Sequence, residues 1–475
     1  MANNTAILTK TYSFFFRRWS CEGGYREFLI IAVPLILATG MWSVQQFVDR
    51  MFLTWHSPEA VAAAMPAGML NFTIVCMFLG TVTYVDTFVA QYYGAERHKM
   101  IGPTVWQGVY ISLVGGLVLL AVAPFSRRIF ELIGHEAAIL QNEVVYFKIL
   151  CLGSFPALAT AALSAFYAGR GKTWTLMWVN IAGTAVNVVL DYCLIFGRWG
   201  FPGWGIKGAA VATVLSGCFT FMLLLLLISN RAYKKRYCSL KWQVNWPLLG
   251  RILRFGLPNG VNFLVDIAGF TGFILIMGSL GTTSLAATNI AFNINTVAFM
   301  PMLGCAIAVS VLVGQYLGRE RPEIAARSTY SGFHVTFCYM AAISLLYVFA
   351  PSIFILPFAA NADPESFEAI RSLVVVLLRF VAVYSLFDTM NLIFASAVKG
   401  AGDTHFVMRM MVVLSLAGLV APSYVAIVLL HKGLYAGWYI ASAYIVVLGL
   451  AFLFRFLGGK WKSMRVIEPS APLPL

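Results

Sequence analysis

Five acidic side chains fall well inside long apolar segments: Asp49, Asp86, Asp191, Asp266 and Asp388. A charge at the centre of a lipid bilayer costs about 2.5 to 3.5 kcal/mol even on the most lenient insertion scale. Acids that occur despite this cost are candidates for binding and moving ions. The structural alternative is an ion pair with a base in the same apolar region, such as Lys148 or Arg379. Asp86 lies close to the end of its segment and is the weakest of the five candidates.

Helical spacing places two of these acids beside a second polar side chain. Asn187 precedes Asp191 by four residues and Tyr384 precedes Asp388 by four, so each pair shares one face of a helix. Groups that offer only oxygen ligands suit a proton or a hard cation such as Na+, and not a soft transition metal. The predicted coupling ion is therefore Na+, H+ or both, and no cofactor is expected besides it.

The elements that position these side chains are predicted to be membrane-spanning helices. Of the 475 residues, 60% are hydrophobic and 11% are charged, whereas about a quarter of a soluble protein is charged. Apolar blocks of roughly 20 to 30 residues match helices that cross ~30 Å of hydrocarbon, and they exclude the short alternating strands of a β-barrel. Twelve spans are predicted near residues 28–54, 59–90, 102–124, 138–168, 173–196, 205–229, 251–277, 283–316, 325–356, 370–398, 405–430 and 434–457.

The sequence contains an internal repeat. A shift of 224 residues aligns Pro34 with Pro258 and the segment QYYGAER (91–97) with QYLGRER (315–321). A shift of 231 aligns the GxG of residues 169–171 with that of residues 400–402. Because six spans separate the copies, both copies enter the membrane from the same side, which relates them by a pseudo-twofold axis along the membrane normal. Such a duplication is typical of alternating-access transporters.

The predicted fold class is thus an all-α polytopic membrane protein with twelve transmembrane helices in two six-helix lobes. The predicted parts are a cytosolic N-terminal segment (1–27), an N-lobe (28–229), a basic cytoplasmic linker (230–250), a C-lobe (251–457) and a cytosolic tail (458–475). Depth along the spans places Asp49, Asn187, Asp191 and Thr213 together in the outer half of the N-lobe. Asp266 and Asp388 lie near mid-depth of the C-lobe and predict a second acidic pocket there.

The distribution of Lys and Arg predicts the orientation of the chain. Most of these residues fall in the loops on one side of the predicted spans and at both ends of the chain, and the basic linker is the richest loop. Because cytoplasmic loops are enriched in Lys and Arg, we expect both termini to be cytoplasmic, in a bacterial inner (plasma) membrane. The net charge of +14 then reflects topology and contact with anionic membrane lipids, and no nucleic-acid partner is expected.

These motifs resemble the MATE (multidrug and toxic compound extrusion) family over essentially the whole chain. Pro34, fifteen residues before Asp49 in QQFVD, is similar to the bent first helix of that family with its acid. NVVLD (187–191) resembles its Asn and Asp pair, and GIKGAAVAT (205–213) resembles the sixth-helix motif that ends in Thr213. YSLFD (384–388), followed by SAVKGAGDT, resembles the tenth-helix cation motif of the NorM-like branch.

The resemblance implies a secondary antiporter that exports organic cations in exchange for Na+ or H+, with no enzymatic activity. It implies a Na+ contribution at Asp388 and Asp266 with Tyr384, and we expect the chain to act as a monomer. Asp266 departs from the family, which usually has Glu at this position. Its side chain is about 1.5 Å shorter, so coordination of Na+ is expected to be weaker there.

The sequence also argues against four other functions. ATP drive would need a phosphate-binding loop, but GRGKT (169–173) has Phe166 where the first glycine is required. A membrane enzyme would need converging catalytic groups, and five of the six histidines lie in loops or at span ends. A channel would be distinguished by its currents. The nearest rival is a flippase for lipid-linked saccharides, which should carry more buried Arg and Lys than this chain does.

Overall fold

The computed structural model describes residues 18–134, 137–359 and 364–469, and within these ranges every regular element is helical. Twelve of the described helices are long and apolar enough to cross a membrane, which confirms the predicted number of spans. In chain order they are α1 Tyr25–His56, α2 Pro58–Gly94, α3 His98–Leu132, α4 Ile139–Ala168, α5 Thr173–Phe196, α6 Ile206–Ile228, α7 Trp246–Gly278, α8 Thr282–Gly318, α9 Pro322–Phe349, α10 Phe367–Ala401, α11 Thr404–Leu429 and α12 Leu434–Leu457. Parts of the predicted N-terminal segment and tail lie outside the described residues.

The ninth helix ends earlier than the sequence predicts. The apolar block predicted a span to residue 356, but α9 ends at Phe349 and a separate short helix, Pro351–Ala359, follows it. Proline disfavours helical geometry in the residue before it. Ala350 accordingly has φ −138° and ψ 49°, which stops the helix. The predicted end of this span was therefore wrong, because the pattern of apolar residues does not show where the helix is interrupted.

The eleventh helix is interrupted by two π-helical segments, Ser415–Val420 and Val425–Leu429, on either side of a short α-helical turn, Ala421–Tyr424. Pro422 lies in this turn and has no N–H to donate to the preceding turn. Wider π turns around a proline let the helix continue with a different hydrogen-bonding pattern. At the shift of 231, Pro422 occupies the position of Asp191 in the N-terminal repeat.

The chain forms two compact units, which we call the first unit (residues 37–267 and 466–469) and the second unit (residues 18–36 and 268–465). In the first unit α4 contacts α2, α3 and α6; in the second, α10 contacts α8, α9 and α12. These two central helices occupy equivalent places in the repeat. The units divide α1 after Ile36 and α7 after Ile267. The lobe boundaries that the sequence predicts are drawn at whole spans and stay a prediction.

Glycines allow one helix crossing to occur in both repeats. In the first unit, a Cβ atom added to Gly260 would lie 2.3 Å from the carbonyl oxygen of Met77, so α2 and α7 touch through their backbones. In the second unit, a Cβ on Gly304 would lie 2.7 Å from the backbone of Ile36. The shift of 224 aligns Ile36 with Gly260 and Gly304 with Gly80, which packs against Gly260 in the first unit. The close approach of α2 to α7 is therefore repeated between α8 and α1. Larger side chains at these glycines would force the helices apart.

The basic linker contains a short helix, Arg231–Tyr237, that lies against the GRGKT segment. The Arg170 guanidinium is buried 3.8 Å from the ring centre of Phe166, 4.8 Å from that of Tyr233 and 4.6 Å from that of Tyr237. A guanidinium is attracted to the faces of aromatic rings, and burial strengthens the attraction. Arg170 therefore attaches the linker helix to the end of α4.

Candidate functional site

Three of the predicted N-lobe residues converge in the first unit. Asp49 on α1 is 7% exposed, and Asn187 and Asp191 on α5 are fully buried. With its amide nitrogen turned toward the acids, Asn187 donates hydrogen bonds to Asp49 Oδ1 at 2.9 Å and to Asp191 Oδ2 at 3.3 Å. The single amide therefore uses both of its N–H groups to hold the two carboxyl groups together.

The two acids also interact with each other directly, through their side chains. Asp191 Oδ1 is buried and has no hydrogen-bond partner among the described residues. Two carboxylates so close repel each other strongly in a medium of low dielectric constant unless a positive charge lies between them. The arrangement can therefore hold one proton or one small hard cation, with several oxygen atoms available as ligands.

A buried tyrosine that sequence reasoning missed, Tyr146 on α4, interacts electrostatically with both acids. The side chain of Tyr146 is buried, and the negative charges of Asp49 and Asp191 both act on its phenol group. Comparison of the two repeats could have identified Tyr146 from the sequence. At the shift of 231 Tyr146 faces Leu377, just as Asp191 faces Pro422, so this tyrosine belongs to one repeat only. A polar side chain without a counterpart in the other repeat is thus a useful marker of the site.

The contacts of Thr213 and Pro34 do not test the roles predicted for these two residues. Thr213 on α6 is half-buried, and its hydroxyl donates to the carbonyl oxygen of Ala209 on its own helix at 3.0 Å. Pro34 is buried in α1, two residues before the point at which that helix passes from one unit to the other. A coupling role for Thr213 and a helix-bending role for Pro34 stay predictions.

In the second unit, Asp388 on α10 is 9% exposed and accepts a hydrogen bond from Asn391 Nδ2 at 2.9 Å. Tyr384 lies one turn earlier on the same helix and is buried. Asn391 is a polar neighbour that the sequence analysis did not name, although it lies three residues after Asp388 and hence on the same face. This face of α10 therefore carries the three polar groups of a candidate cation site.

Polar side chains of α8 and α10 also meet in the second unit. Ser385 Oγ donates to Asn295 Oδ1 at 3.4 Å, and Thr389 Oγ1 donates to the carbonyl oxygen of Ser385 at 3.1 Å. Asp266, in contrast, is half-buried on α7, in the part of that helix that belongs to the first unit. The predicted pocket that would join Asp266 to Asp388 therefore stays a prediction.

Comparisons with known proteins agree with this architecture. A family model described as MatE matches residues 34–193 and 258–423, which are the two copies of the repeat. The multidrug resistance protein NorM of Burkholderia vietnamiensis is 28% identical over 381 residues, covering 80% of this chain and 82% of the relative. The probable multidrug resistance protein NorM of Thermotoga maritima is 25% identical over 446 residues, covering 93% of this chain and 94% of the relative.

The fold is also similar to solved structures. The outward-facing conformation of a multidrug resistance MATE family transporter of the MOP superfamily superposes with a TM-score of 0.83. The match covers 92% of this chain and 96% of that one, at 18% sequence identity. At that identity the likeness concerns the arrangement of the helices.

Proposed function

The chain belongs to the MatE family of transporters, and on that premise we propose that it is an antiporter that exports organic cations in exchange for Na+ or H+. As a multi-pass membrane protein and a transporter, it is not an enzyme. The curated relatives named above are multidrug resistance proteins, which favours export of several chemically unrelated cations. The proposed location is the bacterial inner membrane, with both termini in the cytoplasm and the protein acting as a monomer.

The observation that supports the proposal most is the pair of buried carboxyl groups bridged by Asn187. Burying two acids around one amide is costly unless the site has a cation to bind. The ion that enters down its gradient would bind between Asp49 and Asp191 and later be released on the other side. Exchange with a drug follows if each ligand favours a different state of the transporter, because coupling between two ligands is reciprocal at equilibrium.

The test is efflux of ethidium from proteoliposomes under imposed Na+ or H+ gradients. Asp49→Asn and Asp191→Asn each keep the shape of the side chain and remove the charge, so we expect a folded protein that no longer responds to the gradient. Asn180→Leu on the same helix is the control and should transport normally. If both Asn variants extrude ethidium as fast as the wild type, the site does not couple transport to an ion.

A further inference from the structure

The motif Gln-Tyr-x-Gly-x-Glu-Arg occurs twice, at residues 91–97 and 315–321, and folds in the same way in both copies. In each copy the backbone N–H of the arginine donates to the carbonyl oxygen of the tyrosine at 2.9 Å. The glutamate before the arginine has a positive φ in each copy, 57° in one and 59° in the other, which is uncommon for residues other than glycine. The repeat therefore preserves a specific turn at the end of α2 and of α8.

In the second unit this motif binds acids that precede or begin α1. The Tyr316 hydroxyl donates to the two carboxylate oxygens of Glu27 at 2.7 and 2.6 Å. Arg321 Nη1 lies 3.1 Å from Glu22 Oε2 in an ion pair. This copy of the motif is thus a carboxylate-binding site, and its ligand comes from the segment that enters the first helix.

In the first unit the residue equivalent to Glu27 is a base. The shift of 224 places Arg251 of α7 at that position, and a guanidinium cannot accept the hydrogen bond of Tyr92. The missing carboxylate is supplied by Glu468 of the C-terminal segment. Its Oε2 accepts from the Tyr92 hydroxyl at 2.6 Å and from Arg251 Nη1 at 2.5 Å, and its carbonyl oxygen accepts from Arg97 Nη1 at 2.9 Å.

Apolar and backbone contacts also fix this segment to the first unit. The backbone N–H of Val466 donates to Gln91 Oε1 at 2.9 Å, and Val466 is 1% exposed within an apolar cluster of that unit. Upstream, Trp461 is 1% exposed and stacks on Phe456 of α12, in the second unit, with ring centres 4.9 Å apart. Lys462 also pairs with Glu323 of α9 at 2.8 Å, so residues 463–465 link the two attachments, and the four Cα–Cα steps from Lys462 to Val466 span at most ~14 Å.

We propose that the first copy of the motif is a binding site for the carboxylate of Glu468, and that residues 462–468 form a strap that leaves this site in one state of the transport cycle. The inference rests on the proposed function, because alternating access requires the two units to move relative to each other. A link of three residues allows little movement of one attachment relative to the other. The Glu468 side chain is 39% exposed, so its bonds are weaker than fully buried ones and can open reversibly.

Trypsin cleavage between Arg465 and Val466 reports whether the strap is bound, since a bound Val466 is buried. We expect Glu468→Gln to speed this cleavage about tenfold, because losing one charge-assisted hydrogen bond raises the population of the unbound strap by about that factor. Arg251→Glu should also speed the cleavage, because the new carboxylate on α7 accepts the hydrogen bond of Tyr92 in place of Glu468. Glu27 accepts the hydrogen bond of Tyr316 in this way in the other copy of the motif. The double variant Arg251→Glu with Glu468→Arg should restore protection. Loss of residues 466–475, measured as intact mass, distinguishes this cut from cuts at nearby lysines.

Tyr316→Phe is the matched control, because it removes the same hydroxyl from the other copy of the motif and should leave cleavage after Arg465 unchanged. In inside-out vesicles, wild-type cleavage should rise at least threefold when ethidium and an ion gradient start transport, and Arg251→Glu should be cleaved fast in both conditions.

Two results would overturn the proposal of a strap. One is that trypsin cleaves Arg251→Glu and Glu468→Gln at the wild-type rate, and the other is that active transport leaves the cleavage rate of the wild type unchanged. Wild-type vesicles that move ethidium under neither gradient would refute the proposed function instead. In that case the comparison of variants in detergent, which needs no transport, still decides whether the motif binds Glu468.

Discussion

Replacing Asn187 with leucine should disable the site in the first unit without removing either acid. Leucine keeps the branching of asparagine at Cγ, although it is bulkier, and it donates no hydrogen bond. The bond to Asp49 at 2.9 Å has normal length, and the bond to Asp191 at 3.3 Å is longer and weaker. Hydrogen bonds to charged groups contribute about 1.5 to 3 kcal/mol each, so we take about 2 kcal/mol for the first and about 1 kcal/mol for the second.

The total of about 3 kcal/mol corresponds to a factor of roughly 100 in an equilibrium constant. No reduction for solvent is needed, because Asp49 is 7% exposed and Asp191 is fully buried. The donors of Asn187 stabilise the acids when they carry no ion. Without these donors, the equilibrium shifts by this factor toward the state in which a proton or cation is bound, and release of the ion becomes the slow step.

The measurement is the initial rate of ethidium efflux from proteoliposomes at a fixed ion gradient. We expect Asn187→Leu to lower the rate about 100-fold, with a normal elution profile and melting temperature in detergent. Asn180→Leu makes the same exchange on the same helix, at a position where the side chain is half-buried, and should stay near the wild-type rate. An efflux rate for Asn187→Leu within threefold of wild type would refute the assigned role of the amide.

Three further outcomes are expected. Na+ should accelerate efflux, and Asp388→Asn should abolish that response while a response to the pH gradient survives; full efflux without Na+ that depends on the pH gradient alone would contradict this. Gly260→Ala should destabilise the protein by about 1 to 3 kcal/mol in a thermal melt because the added Cβ meets backbone, whereas Gly250→Ala, with nothing within 4 Å, should not. Burial opposes ionisation of Glu468, but hydrogen bonds from Tyr92 and Arg251 outweigh it and lower its pKa. Protection of the Val466 N–H against hydrogen exchange should therefore be constant from pH 8 to 6 and be lost only below about pH 4. Loss of this protection already at pH 6 would show that Tyr92 and Arg251 do not stabilise the ionised carboxylate of Glu468.

Several features followed from the sequence alone because they depend on local chemistry. The thickness of the hydrocarbon sets the length of a spanning helix, so the apolar blocks were sufficient to predict twelve spans. The repeat was visible because a shift of 224 or 231 residues preserves glycines, prolines and the QYxGxER motif. The pairing of Asn187 with Asp191 followed from helical periodicity, and the cost of a buried charge singled out the acids as candidates.

Only the tertiary structure decided which side chains meet. Asp49 and Asp191 are 142 residues apart, and no local pattern specifies that one amide bridges them or that Tyr146 is buried near enough to interact electrostatically with both. The end of α9 at Phe349 depends on backbone geometry before a proline, which an average over apolar residues does not register. The binding of Glu468 to Tyr92 arises because the repeat has a base where its other copy has an acid. Such a charge is satisfied by whichever carboxylate the fold brings within reach, and sequence separation does not limit that choice.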